Sequence, residues 1–496
     1  MVGDRLERNI KSALDKRAVF ALVAACLLLL IQAATLMRTR WVEDESWLSN
    51  GAWTLLKEGS LRMSIFPADT SFQVDVSLPL ERLSMLPVFA AFGLGEIQGR
   101  SVSALAAIAT VVVVFLLAYQ LAGPLCAAAA AVLLATDTFL VIAARTVRPE
   151  AETTLLCWLS LLLGYLSIRH NSLRLALASG LMGGLALLCH PLGLAFVAAM
   201  GLYYVWERGW TVRRQNMACI FAMGVAVSIV PYLFWCFSNP AHVANFQSVY
   251  VSPIREPLME RIVGELDRWS DFIGLGSRRV PLPFHIPVRI HIAAAIAAAF
   301  IFLLRVRRKL ALCLLAVFLI NVVWWVYMVN KGPRYIVAVA PLFAILFGSA
   351  LASSVTQRTR MAWAVVAGVI AVTQLAGNFY WIYKYRNADY PSVTRELRAA
   401  IPPDASVYSV TTFWLALYDR TYYAYDRTPF EFARDRLKPD YLILNDRVMV
   451  QGSGHGEDDF RELRQKLTQF VRQRGSLVGR ISSDFYGNLE IYHVSW

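Results

Sequence analysis

The chain has 496 residues, of which 57% are hydrophobic and 17% are charged, and its mean hydropathy is +0.49. A soluble globular domain seldom has this composition, and apolar runs of about 18 or more residues recur between Ala18 and Tyr380. Many of the basic residues behind the net charge of +13 lie in short segments between these runs, where they set membrane orientation. The composition therefore predicts a polytopic membrane protein and excludes nucleic acid as a partner.

The N-terminal segment carries basic residues ahead of the first apolar run, as a signal peptide does. That run is long enough to span a membrane and no small-residue cleavage site follows it, so we predict an uncleaved anchor. The sequence predicts about eleven spans in all: 18–37, 102–121, 124–143, 152–168, 173–189, 192–206, 216–236, 290–304, 310–328, 335–353 and 361–380.

A basic cluster from Arg305 to Lys309 fixes the orientation, because cytoplasmic loops are enriched in Lys and Arg. When this cluster is placed inside, the N-terminus is cytoplasmic and the other predicted inner loops are basic too. The apolar run Leu83–Leu94 has only about twelve residues, which is too short to span. We therefore predict that it lies along, or partly in, the outer leaflet.

The outer face then holds a loop from Arg38 to about Arg100, the turn Arg145–Glu150, a loop over residues 237–289, and the tail. The tail, 385–496, has dispersed charge and alternates short β-like runs with helical ones. These runs are Ser406–Val410, Tyr441–Asn445 and Glu490–Val494 for strands and Asp458–Arg474 for a helix. The predicted fold is a helical membrane domain over 1–384 and a small α/β extracytoplasmic domain over 385–496.

The seven cysteines lie in or beside the apolar runs, and none lies in the long outer segments. The sequence therefore predicts neither a disulfide framework nor a cysteine-based zinc site. It also lacks a P-loop, a G-x-G-x-x-G and an H-E-x-x-H motif, so no nucleotide site or zincin site is predicted.

The acidic triplet Glu43-Asp44-Glu45 follows the first span and precedes an amphipathic stretch that ends at Gly59. Trp47 and Trp53 suit a membrane interface, so we predict a short helix lying on the outer leaflet. Carboxylates at its N-terminus are favoured in the ionised form and could accept a proton from a hydroxyl. An ordinary N-cap with solvated charges is the alternative interpretation.

Three basic patches share the predicted outer face. Arg148 and Glu150 occupy the turn before the fourth span, where they could hold a lipid phosphate and a second carboxylate, or only contact lipid head groups. Lys331 and Arg334 oppose the dipole at a helix start, which a nearby anion would explain. His190, before a proline, is either structural or a ligand.

The order of these features resembles the polyprenyl-phosphate-dependent GT-C glycosyltransferases, the group of protein O-mannosyltransferases and lipid A aminoarabinose transferases. The likeness covers about residues 18–380. It rests on the following elements: Asp44-Glu45 with the helix to Gly59, Arg100-Ser101-Val102-Ser103-Ala104-Leu105, Arg148-Pro149-Glu150, Gly183-Gly184-Leu185-Ala186 ahead of His190, and Arg334-Tyr335 before Pro341.

The resemblance implies that a sugar carried by a polyprenyl phosphate in the outer leaflet is transferred, with inversion, to the hydroxyl of a glycolipid, an envelope glycan or a protein. Asp44 would be the general base, and Glu45 and Glu150 would orient the acceptor or assist a divalent metal. Lipid phosphate would be bound among Arg100, Arg148, His190, Lys331, Arg334 and Tyr335. The expected location is a bacterial inner membrane.

Two departures from the family pattern stand out. Many relatives carry a basic residue in a Lys-Pro-Pro-Leu or His-Pro-Pro-Leu stretch, where this chain reads Asp75-Val76-Ser77-Leu78-Pro79-Leu80. Glu150 stands where Asp is common. The competing interpretations are a transporter or flippase of a lipid-linked or anionic solute, and a scaffold whose outer domain binds a partner; the inverted repeats and broken spans of transporters are not visible in the sequence.

Overall fold

A computed structural model of the protein describes residues 15–35, 43–66, 79–206, 212–246, 257–273, 289–327, 333–388, 390–425, 428–446 and 457–496. Its helices are α1 Lys16–Thr35, α2 Glu43–Glu58, α3 Pro79–Phe92, α4 Glu96–Ala122, α5 Pro124–Thr136, α6 Thr138–Ala143, α7 Pro149–His170, α8 Leu173–Cys189, α9 Gly193–Trp206, α10 Val212–Phe237, α11 Pro240–Phe246, α12 Leu258–Phe272, α13 Ile290–Val306, α14 Arg308–Tyr327, α15 Ala340–Ala352, α16 Gln357–Tyr385, α17 Tyr390–Ala400 and α18 Glu457–Arg474.

Among the described residues, seven helices are long and apolar enough to cross a membrane, and four shorter apolar helices are also present. Together they coincide with the predicted spans, because long runs of Leu, Val, Ile and Ala can satisfy backbone hydrogen bonds in lipid only as helices. The predicted polytopic helical membrane fold is confirmed.

Two predicted spans differ in detail from the structure. The run 124–143 forms two helices, because Asp137 interrupts it and caps α6 by accepting hydrogen bonds from the Phe139 and Leu140 N–H groups, both at 3.0 Å. The run 335–353 starts as a 3₁₀ helix, Pro333–Val339, before α15 begins.

The predicted outer helix is α2, which begins at the acidic triplet and ends before Gly59. Gly59 has a φ of +67°, a left-handed conformation that glycine adopts without strain, and its N–H donates to the Leu55 carbonyl at 3.0 Å. The short apolar run forms α3, a helix of 14 residues that packs against α2. Neither helix is among those long enough to span.

The tail contains a five-stranded mixed sheet with strand order β2-β1-β3-β5-β4. The strands are β1 Ser406–Ser409, β2 Thr421–Ala424, β3 Tyr441–Asn445, β4 Gly475–Ser483 and β5 Gly487–Val494. β1 is parallel to β2 and β3, whereas β5 is antiparallel to β3 and β4. The three predicted strands are present, and β2 and β4 were missed because a short polar-aromatic run and a largely exposed run give no alternating apolar pattern.

The sheet of the tail packs against α2 and α3, so the tail and α2 share one hydrophobic core. The Ser46 hydroxyl in the first turn of α2 donates to the Thr412 carbonyl at 3.1 Å. The Ala424 N–H donates to the Ile65 carbonyl at 3.1 Å. The tail therefore holds the start of α2, where the acidic triplet lies.

Glycines in α8 allow it to lie unusually close to α10. A Cβ placed on Gly180 would lie 2.0 Å from the Phe221 carbonyl oxygen, and one on Gly224 would lie 2.5 Å from the Leu177 carbonyl oxygen. Small residues at such crossings let membrane helices associate through backbone contact. This packing sets the position of the α8 end, where His190 follows.

We expect Gly180→Ala to destabilise the protein by about 1–3 kcal/mol, because the added methyl group must push α8 away from α10. Gly201→Ala in α9 is the matched control, since nothing lies within 4 Å of its added Cβ and alanine favours helix. Thermal unfolding in detergent measures both variants. Equal midpoints for the two would contradict the close crossing.

Candidate active site

A fully buried ion pair fixes the start of α2. Arg100 in the second turn of α4 donates from Nε and Nη2 to the two carboxylate oxygens of Glu45, at 2.8 and 2.9 Å. The Val147 N–H also donates to Glu45 Oε1, at 3.0 Å. Both charged side chains have no solvent exposure. One carboxylate therefore joins α2, α4 and the segment that precedes α7.

Asp44 lies next to this pair and faces two guanidinium groups. Its Oδ2 is 2.5 Å from Nη2 of Arg148 and 3.4 Å from Nη1 of Arg334. Arg148 is the extended residue immediately before α7, and Pro149 starts that helix. Arg334 lies in the 3₁₀ helix ahead of α15. Three segments that are distant in sequence therefore meet at one carboxylate.

Glu150 completes the cluster from the first turn of α7. Its Oε1 is 3.2 Å from Nε of Arg334 and 3.8 Å from Nη1 of Arg148. Asp44 and Glu150 thus share the same two guanidinium groups. Two carboxylates and two guanidiniums compensate one another, which is necessary because burial of an unpaired charge is costly. Hereafter we call Asp44, Arg148, Glu150 and Arg334 the charge cluster.

The four side chains of the charge cluster differ in solvent exposure. Asp44 and Arg334 retain 22% and 23% of their side-chain exposure. Arg148 and Glu150 retain only 5% and 3%. A substrate can therefore reach one carboxylate and one guanidinium directly, and the other two side chains lie behind them.

His190 and Tyr335 border the charge cluster. Their ring centroids are 5.2 Å apart, and the Tyr335 hydroxyl accepts a hydrogen bond from Nη2 of Arg334 at 3.2 Å. His190 follows the last residue of α8, and its Nδ1 accepts from the Leu192 N–H at 3.1 Å. Burial, with a further contribution from Arg334, lowers the pKa of the His190 imidazole to about 4. The ring is therefore neutral near pH 7, with its proton on Nε2.

The structure thus brings Asp44, Arg148, Glu150, His190, Arg334 and Tyr335 together at one end of the helix bundle. Glu45 and Arg100 lie beside them but bind each other. Lys331 lies outside the described residues, as does most of the departing stretch 75–80.

Arg268 was not predicted and lies beside Tyr335. Its Cζ is 5.9 Å from the Tyr335 ring centroid and 5.1 Å from that of Trp325, and its side chain is fully buried. It shares the inward face of α12 with Arg261, seven residues earlier, while Met259 and Leu266 on the other face are 68% and 65% exposed. The seven-residue spacing of Arg261 and Arg268 places both on one helical face, a signal that the prediction of a loop over residues 237–289 does not use.

A second acidic group lies close to the charge cluster and was also not predicted. Glu81 of α3, Glu152 of α7 and Cys189 of α8 have ligand atoms within 4.8 Å of one another. Burial, together with the neighbouring Glu152 and Glu150, raises the pKa of the Glu81 carboxyl well above its usual range. This group suits a metal ion better than Asp44 and Glu150 do, because those two carboxylates already pair with guanidiniums.

The chain is similar to one protein family and to several solved structures. The family described as dolichyl-phosphate-mannose-protein mannosyltransferase matches residues 85–235. The crystal structure of ArnT from Cupriavidus metallidurans bound to undecaprenyl phosphate superposes with a TM-score of 0.62 at 15% identity, covering 96% of this chain and 97% of that one. The apo form of the same protein gives 0.61 at 16% identity, with the same coverage. No curated protein matches at the level of sequence.

The archaeal oligosaccharyltransferase AglB from Archaeoglobus fulgidus, in complex with an inhibitory peptide and a dolichol-phosphate, gives a TM-score of 0.51 at 12% identity. That match covers 87% of this chain and 69% of AglB. The chain has the GT-C fold. The predicted resemblance to the mannosyltransferase and aminoarabinose transferase group is confirmed by the family match and by the shared fold. The matching family and structures are glycosyltransferases.

Breaking the buried pair of Glu45 and Arg100 beside the charge cluster should destabilise the start of α2. We expect Glu45→Gln to cost about 3–5 kcal/mol, because the buried Arg100 then loses both short carboxylate contacts and keeps the longer one with Glu96, at 3.7 Å. Glu462→Gln is the control, since it breaks an exposed pair with Lys466 on α18 and should leave the unfolding midpoint unchanged. Denaturant unfolding in detergent compares the two, and equal effects would contradict the role given to Glu45.

His190 should make the folded state sensitive to acid. The unfolded imidazole takes up a proton below about pH 6.5, whereas the folded one does so only at about 4. Stability contributed by the neutral ring is therefore complete above about pH 6.5 and falls by about 3 kcal/mol as the pH drops to about 4. His190→Gln should flatten the stability curve across that window; an unaltered slope would show that the ring titrates normally.

Proposed function

We propose that the protein is a membrane glycosyltransferase that moves a sugar from a polyprenyl-phosphate donor to a hydroxyl-bearing acceptor, with inversion, at the outer face of the membrane. The observation that carries this proposal is the shared pairing of Asp44 and Glu150 with Arg148 and Arg334. It combines a partly exposed carboxylate with cations suited to a phosphate. The GT-C fold and the family match support the enzyme class.

Asp44 is the proposed general base. It is the more exposed of the two carboxylates in the charge cluster, and it lies in the first turn of α2, where the helix dipole favours its ionised form. An acceptor hydroxyl hydrogen-bonded to it would lose its proton as its oxygen attacks the anomeric carbon. General-base assistance of this kind contributes about 10²–10⁴-fold to rate.

The leaving lipid phosphate is the proposed partner of Arg334 and Arg148. A guanidinium binds phosphate oxygens through two parallel hydrogen bonds, and its charge stabilises the phosphate as the glycosidic bond breaks. Arg334 is the more exposed of the two, and Arg268 and His190 both lie near the ring of Tyr335. The energy of transfer is already present in the glycosyl phosphate, so the reaction needs no nucleotide.

Pairing with carboxylates keeps the two arginines in place before the donor binds. In the free enzyme Asp44 and Glu150 neutralise them, and a bound phosphate would take over part of that pairing. Asp44 would then have a free oxygen for the acceptor hydroxyl. Binding of the donor would thereby activate the base, an order of events that limits deprotonation of water or other hydroxyls in the empty site.

Glu45 and Arg100 are positioning residues in this proposal, in place of the acceptor and phosphate contacts first considered for them. Their polar atoms bind each other and the Val147 N–H inside the protein. They act on Asp44 and Arg148 through the backbone that they join.

The acceptor is a glycolipid, an envelope glycan or a protein, and the proposed location is a bacterial inner membrane with the N-terminus in the cytoplasm and the tail outside. ArnT is described with undecaprenyl phosphate and AglB with dolichol-phosphate and a peptide, which supports a lipid-linked donor and a separate acceptor. A transporter or flippase is not favoured, because the matching family and folds are glycosyltransferases.

The test is transfer by purified Asp44→Asn protein from a polyprenyl-phosphate sugar to an acceptor. The variant keeps the shape of the side chain but not its basicity, so the rate should fall by about 10²–10⁴-fold. Asp435→Asn is the control, because its side chain is 57% exposed in the tail and it is not part of the charge cluster. An unchanged rate for Asp44→Asn would show that Asp44 is not the general base. Movement of the intact lipid-linked sugar across the membrane of vesicles, without transfer, would favour a flippase.

A further inference from the structure

The group of Glu81, Glu152 and Cys189 is assembled from three helices at the same end of the bundle as the charge cluster. Their exposures are 1%, 8% and 0%, so none of the three is a surface group. One ligand atom from each lies within 4.8 Å of the other two. Tetrahedral zinc needs ligand atoms separated by about 3–4 Å, so only small side-chain rotations are required.

The carboxylate of Glu81 has no hydrogen-bond partner on either oxygen in the described part of the chain, and Oε2 of Glu152 has none either. Arg82 and Arg148 lie near enough to attract the Glu81 charge, but neither donates a hydrogen bond to it. Buried polar atoms are almost always paired, and unpaired ones mark a missing partner. These unpaired oxygens belong to the group that converges with Cys189, so a cation between them would satisfy all of them at once.

The ligand types favour one class of metal. Two carboxylates alone would suit magnesium, calcium or manganese, whereas a thiolate selects softer metals, and zinc accepts both oxygen and sulfur ligands. The Cys189 thiol now donates weakly to the Pro149 carbonyl, at 3.9 Å. On binding, the thiol proton and any protons on the Glu81 and Glu152 carboxyl groups would leave to solvent, and one zinc–sulfur bond and two zinc–carboxylate bonds would form.

We propose that Glu81, Glu152 and Cys189 bind one zinc ion, with the fourth coordination position open to a water or substrate oxygen. The site would fasten the interfacial helix α3 to the start of α7 and the end of α8. Glu150 lies two residues from Glu152, and His190 follows Cys189, so the ion would also hold the elements that carry both. The proposal does not depend on the glycosyltransferase activity, because it concerns binding alone.

The arrangement could not be predicted from spacing. The three ligands are separated by 71 and 37 positions and come from three helices, so no C-x-x-C or H-x-x-H pattern marks them. The expectation that no cysteine takes part in a zinc site rests on the position of all seven cysteines in or beside the apolar runs.

Zinc content of the full-length protein tests the proposal. The tag-free protein is equilibrated with Zn²⁺ in detergent, desalted, and measured by inductively coupled plasma mass spectrometry. About one zinc per chain is expected for the wild type and for Cys126→Ser, a matched control whose thiol is equally buried but lies outside the group. Cys189→Ser should lose the bound zinc.

Cobalt gives a second readout that reports the ligand itself. Co²⁺ in the wild type and in Cys126→Ser should show thiolate-to-cobalt charge-transfer absorption, which Cys189→Ser should lack. If Cys189→Ser does not fold, Glu81→Gln decides the matter, since it preserves shape and should weaken zinc binding more than about tenfold. A folded wild type without zinc, or a variant that retains zinc and absorption at the wild-type level, would overturn the site.

Discussion

The buried pairing of Glu45 with Arg100 is the interaction on which the site depends. The carboxylate accepts two hydrogen bonds from the guanidinium and a third from the Val147 N–H, and so joins three segments without access to water. Asp44 is the preceding residue and Arg148 follows Val147, so this one carboxylate sets the distance between the proposed base and its arginine. Such a pair is costly to bury, and its value here lies in fixing geometry more than in net stability.

The charge cluster lies beside this buried pair, and its four charged side chains compensate one another. Two carboxylates and two guanidiniums in a poorly hydrated site would be unstable singly, and their pairing offsets the cost of burying them. In the proposed reaction, a bound anion would take over part of that pairing. Because Asp44 and Glu150 already pair with guanidiniums, they are less suited than Glu81 to bind a metal ion. Glu81 of α3, in contrast, has a carboxyl group without a hydrogen-bond partner in the described part of the chain. It is one of the three proposed zinc ligands.

The sequence predicted what depends on composition and left out what depends on packing. Spans and the helix at the acidic triplet follow from apolar length and amphipathic spacing, so they were predicted closely. The shared arginines of the charge cluster could be suspected only from their common predicted face. The buried positions of Arg268 and Glu81 were missed, since a charged residue in a loop or short helix is ordinarily exposed, and only tertiary contacts bury it.

A structure of the protein with a bound polyprenyl phosphate would show whether Arg334 and Arg148 bind the lipid phosphate. We expect a phosphate oxygen about 2.7–2.9 Å from a nitrogen of Arg334 or Arg148. We also expect that Asp44 is released from at least one of the two guanidiniums and faces the open site. A phosphate bound elsewhere, with both arginines still paired to Asp44 and Glu150, would contradict the proposed role of these arginines.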